Sequence, residues 1–89
     1  MIKKAKGIEE SYLNDEVVLF NIITGEFYGL QDTSYFIWEH IDNCSSVNEL
    51  VEKVKGNYEY ENETELIESI YQLINDLNKE RLIEIDENI

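Results

Sequence analysis

Val17-Val18-Leu19-Phe20-Asn21-Ile22-Ile23-Thr24-Gly25-Glu26-Phe27-Tyr28-Gly29-Leu30 is the stretch that decides the fold. Residues 17–23 are mostly β-branched or aromatic, the profile of a half-buried strand. Thr24-Gly25 ends the run, and glycine supplies the positive φ that a tight hairpin turn needs. Glu26–Leu30 then reads as the return strand. Working upstream, Asn14-Asp15-Glu16 is turn chemistry. Before it, residues 5–13 alternate loosely, with Ile8 and Tyr12 on one side and Glu9 and Ser11 on the other. The sum is a three-stranded antiparallel β-meander.

Downstream the apolar period lengthens from two to that of a helix. Asp32 or Thr33 is placed to cap a helix running to about Ile41, with Ser34, Ile37, Trp38 and Ile41 on its buried face. Ser46-Val47-Asn48-Glu49 is a capping box, in which a hydroxyl caps the helix and a carboxylate follows three residues on. That helix buries Val47, Leu50, Val51 and Val54 and stops near Gly56. Tyr58 and Tyr60 fall in the loop after it. Asn62 or Thr64 opens the longest helix, to about Lys79. Leu66, Ile70, Leu73 and Leu77 suffice to pack this helix on a core, and Ile67, Tyr71 and Ile74 form a second stripe beside them. Arg81-Leu82-Ile83-Glu84-Ile85 ends the pattern as a short strand or packed tail. Strands first, then three helices, define an α+β domain of winged-helix-like type, with a helix-turn-helix middle.

At 89 residues the chain has room for one domain, expected over 1–89, and its 43% hydrophobic content supports a core without staples. The single cysteine, Cys44, excludes an internal disulfide, and the single histidine, His40, leaves no Cys/His set for zinc. No apolar run approaches the ~20 residues of a membrane helix. The basic start Met1–Gly7 lacks the apolar stretch of a signal peptide. A cytoplasmic setting is the expectation. The net charge of −13 matters most. Nucleic-acid binding draws on clustered Lys and Arg, whereas residues 57–89 carry only Lys79 and Arg81 against many acids. The charge keeps a small protein dispersed and also attracts a basic partner surface.

Chemistry-bearing constellations are sparse. Nucleophilic catalysis needs a base beside a serine or cysteine. His40 and Cys44 lie four apart, but the helix ends between them, so a surface histidine and a half-buried cysteine are the plainer reading. The four glycines are isolated and make no phosphate loop. Asp32-Thr33-Ser34 at a helix start is a feature of acyl carrier proteins too, yet those are all-helical, and here a β-meander comes first. The chain is therefore expected to be a binding module with no catalytic residue, cofactor or metal.

Val18-Leu19-Phe20-Asn21, Thr24-Gly25, Tyr28-Gly29-Leu30, Ile37-Trp38, Ser46-Val47-Asn48-Glu49-Leu50 and the closing Leu82-Ile83 together resemble the PqqD-like family. These are the recognition elements of pathways that modify ribosomally made peptides. The resemblance runs from about Val17 to Ile83. No single motif is specific, since each is a core or turn feature; their order and spacing are. Gln31 stands where the family usually has asparagine, and Tyr35-Phe36 where smaller residues are common. The resemblance implies that the leader of a precursor peptide adds as a strand along the third strand of the meander, against the third helix; members stand free or are fused to a modifying enzyme, and because this chain ends soon after the domain a free-standing form is expected. It also implies delivery to a maturation enzyme, either a lasso-peptide leader peptidase or a radical-SAM type, with the lasso system slightly favoured.

The residues support that placement separately. An open sheet edge is normally blunted by Lys or Pro, and Glu26–Leu30 holds neither. Strand addition pairs such a backbone and leaves specificity to side-chain pockets. The peptide-binding set expected here is Glu26, Phe27, Tyr28, Gly29 and Leu30 from the strand, with Ile67, Ile70, Tyr71 and Ile74 from the longest helix. Two other functions fit the fold class: a winged-helix DNA-binding regulator, which the charge opposes, and an adaptor that binds only its enzyme.

Overall fold

The computed structural model describes residues 2–85; the single domain expected over 1–89 extends past them at both ends. Three strands form the meander, β2 (Ile8–Leu13), β3 (Glu16–Asn21) and β4 (Phe27–Gln31), antiparallel in the order β2-β3-β4. A short first strand, β1 (Ile2–Lys4), pairs antiparallel with the last, β5 (Ile83–Ile85), as a separate two-stranded sheet. Between them run α1 (Asp32–His40), a single 3-10 turn (Ile41–Asn43), α2 (Val47–Asn57) and α3 (Glu63–Lys79).

Each boundary has a local cause. Asn14, at φ 57°, makes the tight turn between β2 and β3, a conformation asparagine tolerates better than most residues. Asn21 builds the next hairpin. Its side-chain oxygen accepts the N–H groups of Ile23 (2.9 Å) and Thr24 (3.2 Å), its own N–H donates to the Glu26 carbonyl (2.9 Å), and Gly25 closes the turn at φ 79°. Asn21 is the one polar residue among the described residues that is buried, and these bonds satisfy it. The strand expected to run to Ile23 therefore ends at Asn21. Ser46 and Asn62 cap α2 and α3 by accepting from Glu49 N–H (3.2 Å) and Glu65 N–H (3.1 Å), as the capping pattern requires.

The start of α1 departs from expectation. Asp32 lies inside the helix at φ 55°, and the cap is Gln31. The Ser34 hydroxyl takes both backbone groups of Gln31, accepting its N–H at 3.0 Å and donating to its carbonyl at 2.6 Å. Gln31 holds the cap position and Ser34, three residues on, closes a capping box with it, so Asp32 and Thr33 fall inside the helix and not at its cap.

The core is continuous. Val17, Leu19 and Leu30 from the sheet, Ile37, Trp38 and Ile41, then Leu50, Val51 and Val54, and Ile70, Ile74 and Leu77 pack together. Trp38 is fully buried. Lys4 Nζ sits 4.8 Å above its ring and bridges to Glu10 at 3.1 Å. The Trp38 indole N–H lies toward the Glu10 carboxylate without closing a hydrogen bond of normal geometry.

Of the two forms expected for residues 81–85, short strand or packed tail, the structure has the strand, over Ile83–Ile85, and its pairing with β1 is what periodicity does not reveal. Three-residue strands carry no measurable period, and a Lys-rich start reads as a solvated end. Tertiary closure makes them strands. The chain leaves α3 through Arg81 at φ 62°, with Leu82 N–H returning to the Leu77 carbonyl at 2.9 Å, a Schellman-type reversal. Ala5 N–H then bonds the Leu82 carbonyl at 3.0 Å, and Lys4 N–H bonds Asp42 at 2.9 Å. Ile2 and Ile83 are buried in the shared core. Truncating Ile83 to alanine therefore leaves a cavity under α3 and should lower stability by about 2–5 kcal/mol, read as a shift of the urea midpoint with unchanged slope.

Candidate functional site

A ladder register fixes which backbone groups β4 leaves free. In an antiparallel pair, residues alternate between those bonded to the partner strand and those whose N–H and C=O point away. Asn21 N–H donates to the Glu26 carbonyl, so this is a bonded pair. Following the register, Leu19–Tyr28 and Val17–Leu30 are bonded pairs as well, whereas Phe20–Phe27, Val18–Gly29 and Glu16–Gln31 are not. Phe27, Gly29 and Gln31 therefore direct their backbone groups to the outer edge. Ser34 occupies those of Gln31. Among the described residues β4 pairs with β3 alone, which leaves the N–H and C=O of Phe27 and Gly29 open to a guest.

Side chains along β4 alternate. Leu30 enters the core and Tyr28 is half-buried on the same face, while Phe27 is 68% exposed and stacks on Phe20 with ring centroids 4.6 Å apart. Glu26 precedes the strand and belongs to the turn, its carbonyl already used by Asn21. Gly29 presents no side chain, and a Cβ there would meet nothing closer than Glu16 at 4.0 Å.

The wall opposite is α3, but not the flank expected. A helix turns once in about 3.6 residues, so Ile70, Ile74 and Leu77 mark its buried spine, with Leu66, Ser69, Leu73, Asp76 and Glu80 to one side and Ile67 and Tyr71 to the other. The first flank faces α1 and β4. Leu66, Ser69, Ile70 and Leu73 line a groove of about 310 Å³ with Thr33, Ser34 and Ile37 of α1. Farther along, Tyr28 comes up to Glu80, just past α3, whose carboxylate favours the protonated hydroxyl and, with burial and the charges of Glu26 and Asp76, pushes its pKa up to about 12. Ile74 is 3% exposed and Tyr71 is 43% exposed. The structure thus brings Ile70 to the groove, holds Ile74 in the core, and sets Ile67 and Tyr71 on the flank turned from β4. In the sequence the Leu66/Ser69/Leu73 flank reads as core, because its leucines also make the minimal core stripe; the small polar Ser69 between them is the signal that sets it apart.

His40 and Cys44 make no nucleophilic pair. His40 stacks on Phe36 at 4.2 Å, and its Nδ1 lies 2.9 Å from the Phe36 carbonyl. Cys44 is buried, and that burial, reinforced by Glu49, pushes its thiol pKa up, away from the thiolate that reacts. Among the described residues no three His, Cys, Asp or Glu side chains gather to hold a metal, and no helix is long and apolar enough to cross a membrane.

The placing of Tyr28 beside Glu80 has a pH signature. A tyrosine pKa raised on folding contributes stability that is full below its unfolded value near 10 and is lost as pH rises toward 12. Wild type should lose melting temperature across this window more steeply than Tyr28→Phe, as followed by circular dichroism.

A family model described as Coenzyme PQQ synthesis protein D (PqqD) matches residues 16–83. Among solved structures, one described as "TbiB1 in Complex with the TbiA(beta) Leader Peptide" has TM-score 0.84 at 21% identity, covering 97% of this chain and 99% of that one. A second, "Lasso peptide synthetase B1 complexed with the leader peptide", has TM-score 0.80 at 20% identity, covering 94% of this chain and 98% of that one. At such identities the likeness establishes the shared fold. No curated protein matches the chain. Because the family model spans β3, β4, all three helices and the first residue of β5, the chain belongs to the PqqD family.

Proposed function

We propose that this chain is a non-catalytic peptide-recognition element. It captures the leader of a ribosomally made precursor peptide by strand addition to β4 and delivers it to a maturation enzyme in the cytoplasm. The observation that carries the reading is the open backbone of Phe27 and Gly29 beside the groove between α1 and α3. An extended guest there completes a four-stranded sheet, and its inward side chains meet Tyr28 on the sheet and Leu66, Ile70 and Leu73 on the helix. Such a mode gives affinity through main-chain bonds and specificity through pockets. Both structural neighbours are described as leader complexes, and one as a lasso peptide synthetase component, which supports a lasso-type pathway here. A DNA-binding role is disfavoured because the exposed face of α3 carries Glu65, Glu68 and Asp76, the wrong sign for phosphate.

The test uses a labelled synthetic leader, taken from the short precursor reading frame adjoining the gene. Micromolar binding, about 8 kcal/mol, is expected. Gly29→Pro should fold, since its N–H faces the free edge where proline is tolerated, yet lose at least tenfold in affinity by fluorescence anisotropy. Leu73→Ser should weaken binding fivefold or more, and Tyr71→Ala should leave it unchanged. Undiminished binding by a folded Gly29→Pro variant would remove β4 from the site.

A further inference from the structure

Helix α1 has a second face that the leader groove does not use. Thr33, Ser34 and Ile37 look toward α3. On the other side of the helix, Asp32, Tyr35, Phe36, Glu39 and His40 line a separate hollow of about 390 Å³, closed by Asp15 from the β2–β3 turn and Tyr58 after α2.

Its walls are aromatic and pinned. Phe36 meets Tyr58 edge-on at 5.3 Å between centroids, and Tyr35 meets Tyr12 edge-on at 6.2 Å. The Tyr12 hydroxyl lies between two carboxylates, Glu10 at 2.7 Å and Glu39 at 2.8 Å, and shares its one proton between them, which leaves Glu39 with acceptor capacity to spare. Among the described residues no lysine or arginine pairs with Asp15, Asp32 or Glu39; the lysine bridges of this chain go to Glu84, Glu10, Glu52 and Glu63. The concentrated negative field is felt locally: burial first, then Glu39 and Asp15, push the Tyr35 pKa up.

We propose that this face docks an arginine-bearing basic surface of a protein partner, on the side of α1 opposite the leader groove. A guanidinium is planar, stacks on aromatic rings, and carries five donors in a fork that suits carboxylates. The hollow offers both counterparts, and the net charge of −13 adds long-range attraction for a basic protein. A second copy of this chain or a nucleic acid brings charge of the same sign and is repelled. Assigning the partner as the maturation enzyme rests on the leader-delivery reading; the arginine chemistry of the site does not. The arrangement lets one domain hold its peptide on one side and its enzyme on the other.

The full chain, labelled with ¹⁵N, is titrated at low salt with N-acetyl-Arg-Arg-amide, and in parallel with the matching citrulline peptide. Shifts are expected at Asp15, Tyr35, Phe36, Glu39 and Tyr58, with Phe27–Gln31 unmoved and the citrulline peptide silent. The double variant Asp15→Asn, Glu39→Gln should bind the arginine probe at least fivefold more weakly while melting as wild type and keeping its affinity for the leader. Tyr58→Ala, an exposed position, should weaken it about threefold. Shifts spread over Glu65 and Glu68 of α3, equal binding of citrulline, or an unaffected double variant would overturn the proposal. Arginine-probe shifts at α1 in a chain that ignores the leader would sink the leader reading and leave this site standing.

Discussion

Every backbone N–H and C=O at the border of a sheet must find a partner or face water, and in this protein the choice of partner for the last strand governs the rest. β5 is close in sequence to the end of α3 and would be a natural fourth strand for the meander. It pairs with β1 instead. The left-handed turn at Arg81 aims it there, and the buried contacts of Ile2 and Ile83 hold it. One consequence is that the outer border of β4 stays open beside the groove between α1 and α3, which strand addition requires.

The second organising element is α1. Its spine of Ile37 and Trp38 fills the core, so both flanks are free for other work. One flank makes the groove with α3; the other carries rings and carboxylates. The hairpin before it is set by Asn21, whose side chain closes the turn that brings β4 into register. Because the register determines which of the β4 backbone groups face outward, a residue in the preceding turn decides that Phe27 and Gly29, rather than Tyr28, are presented at the edge.

Much of this architecture was legible in the amino-acid sequence. The β-branched run from Val17, the Thr24-Gly25 break and the two capping residues Ser46 and Asn62 act locally, and local signals survive the absence of coordinates. The meander and three helices follow from them. The clasp of β1 with β5 was not legible, since pairing between residues eighty positions apart leaves no period in three-residue strands. The site was half legible. The open edge could be read from the lack of Lys or Pro in β4. The choice between the two flanks of α3 could not, because Leu66 and Leu73 satisfy a core stripe and a groove wall equally well. The burial of Ile70, Ile74 and Leu77, the placing of Tyr28 beside Glu80 and the groove shared by Thr33 and Leu66 show which way the helix is rolled. Propensity favours Asp32 or Thr33 over glutamine as the cap of α1, and the capping box between Gln31 and the Ser34 hydroxyl overrides that preference.

A bare strand border is also a hazard, because any extended chain will do, including another copy of the same protein. Phe27 beside Phe20 makes that border sticky as well as open. Two copies meeting border to border would have to bring Glu26, Asp76 and Glu80 of each together, in molecules that already carry a large excess of acid. Electrostatic repulsion thus does the guarding that lysine or proline does elsewhere. It leaves the border selective rather than blocked: closed to its own kind, and open to a neutral or cationic strand.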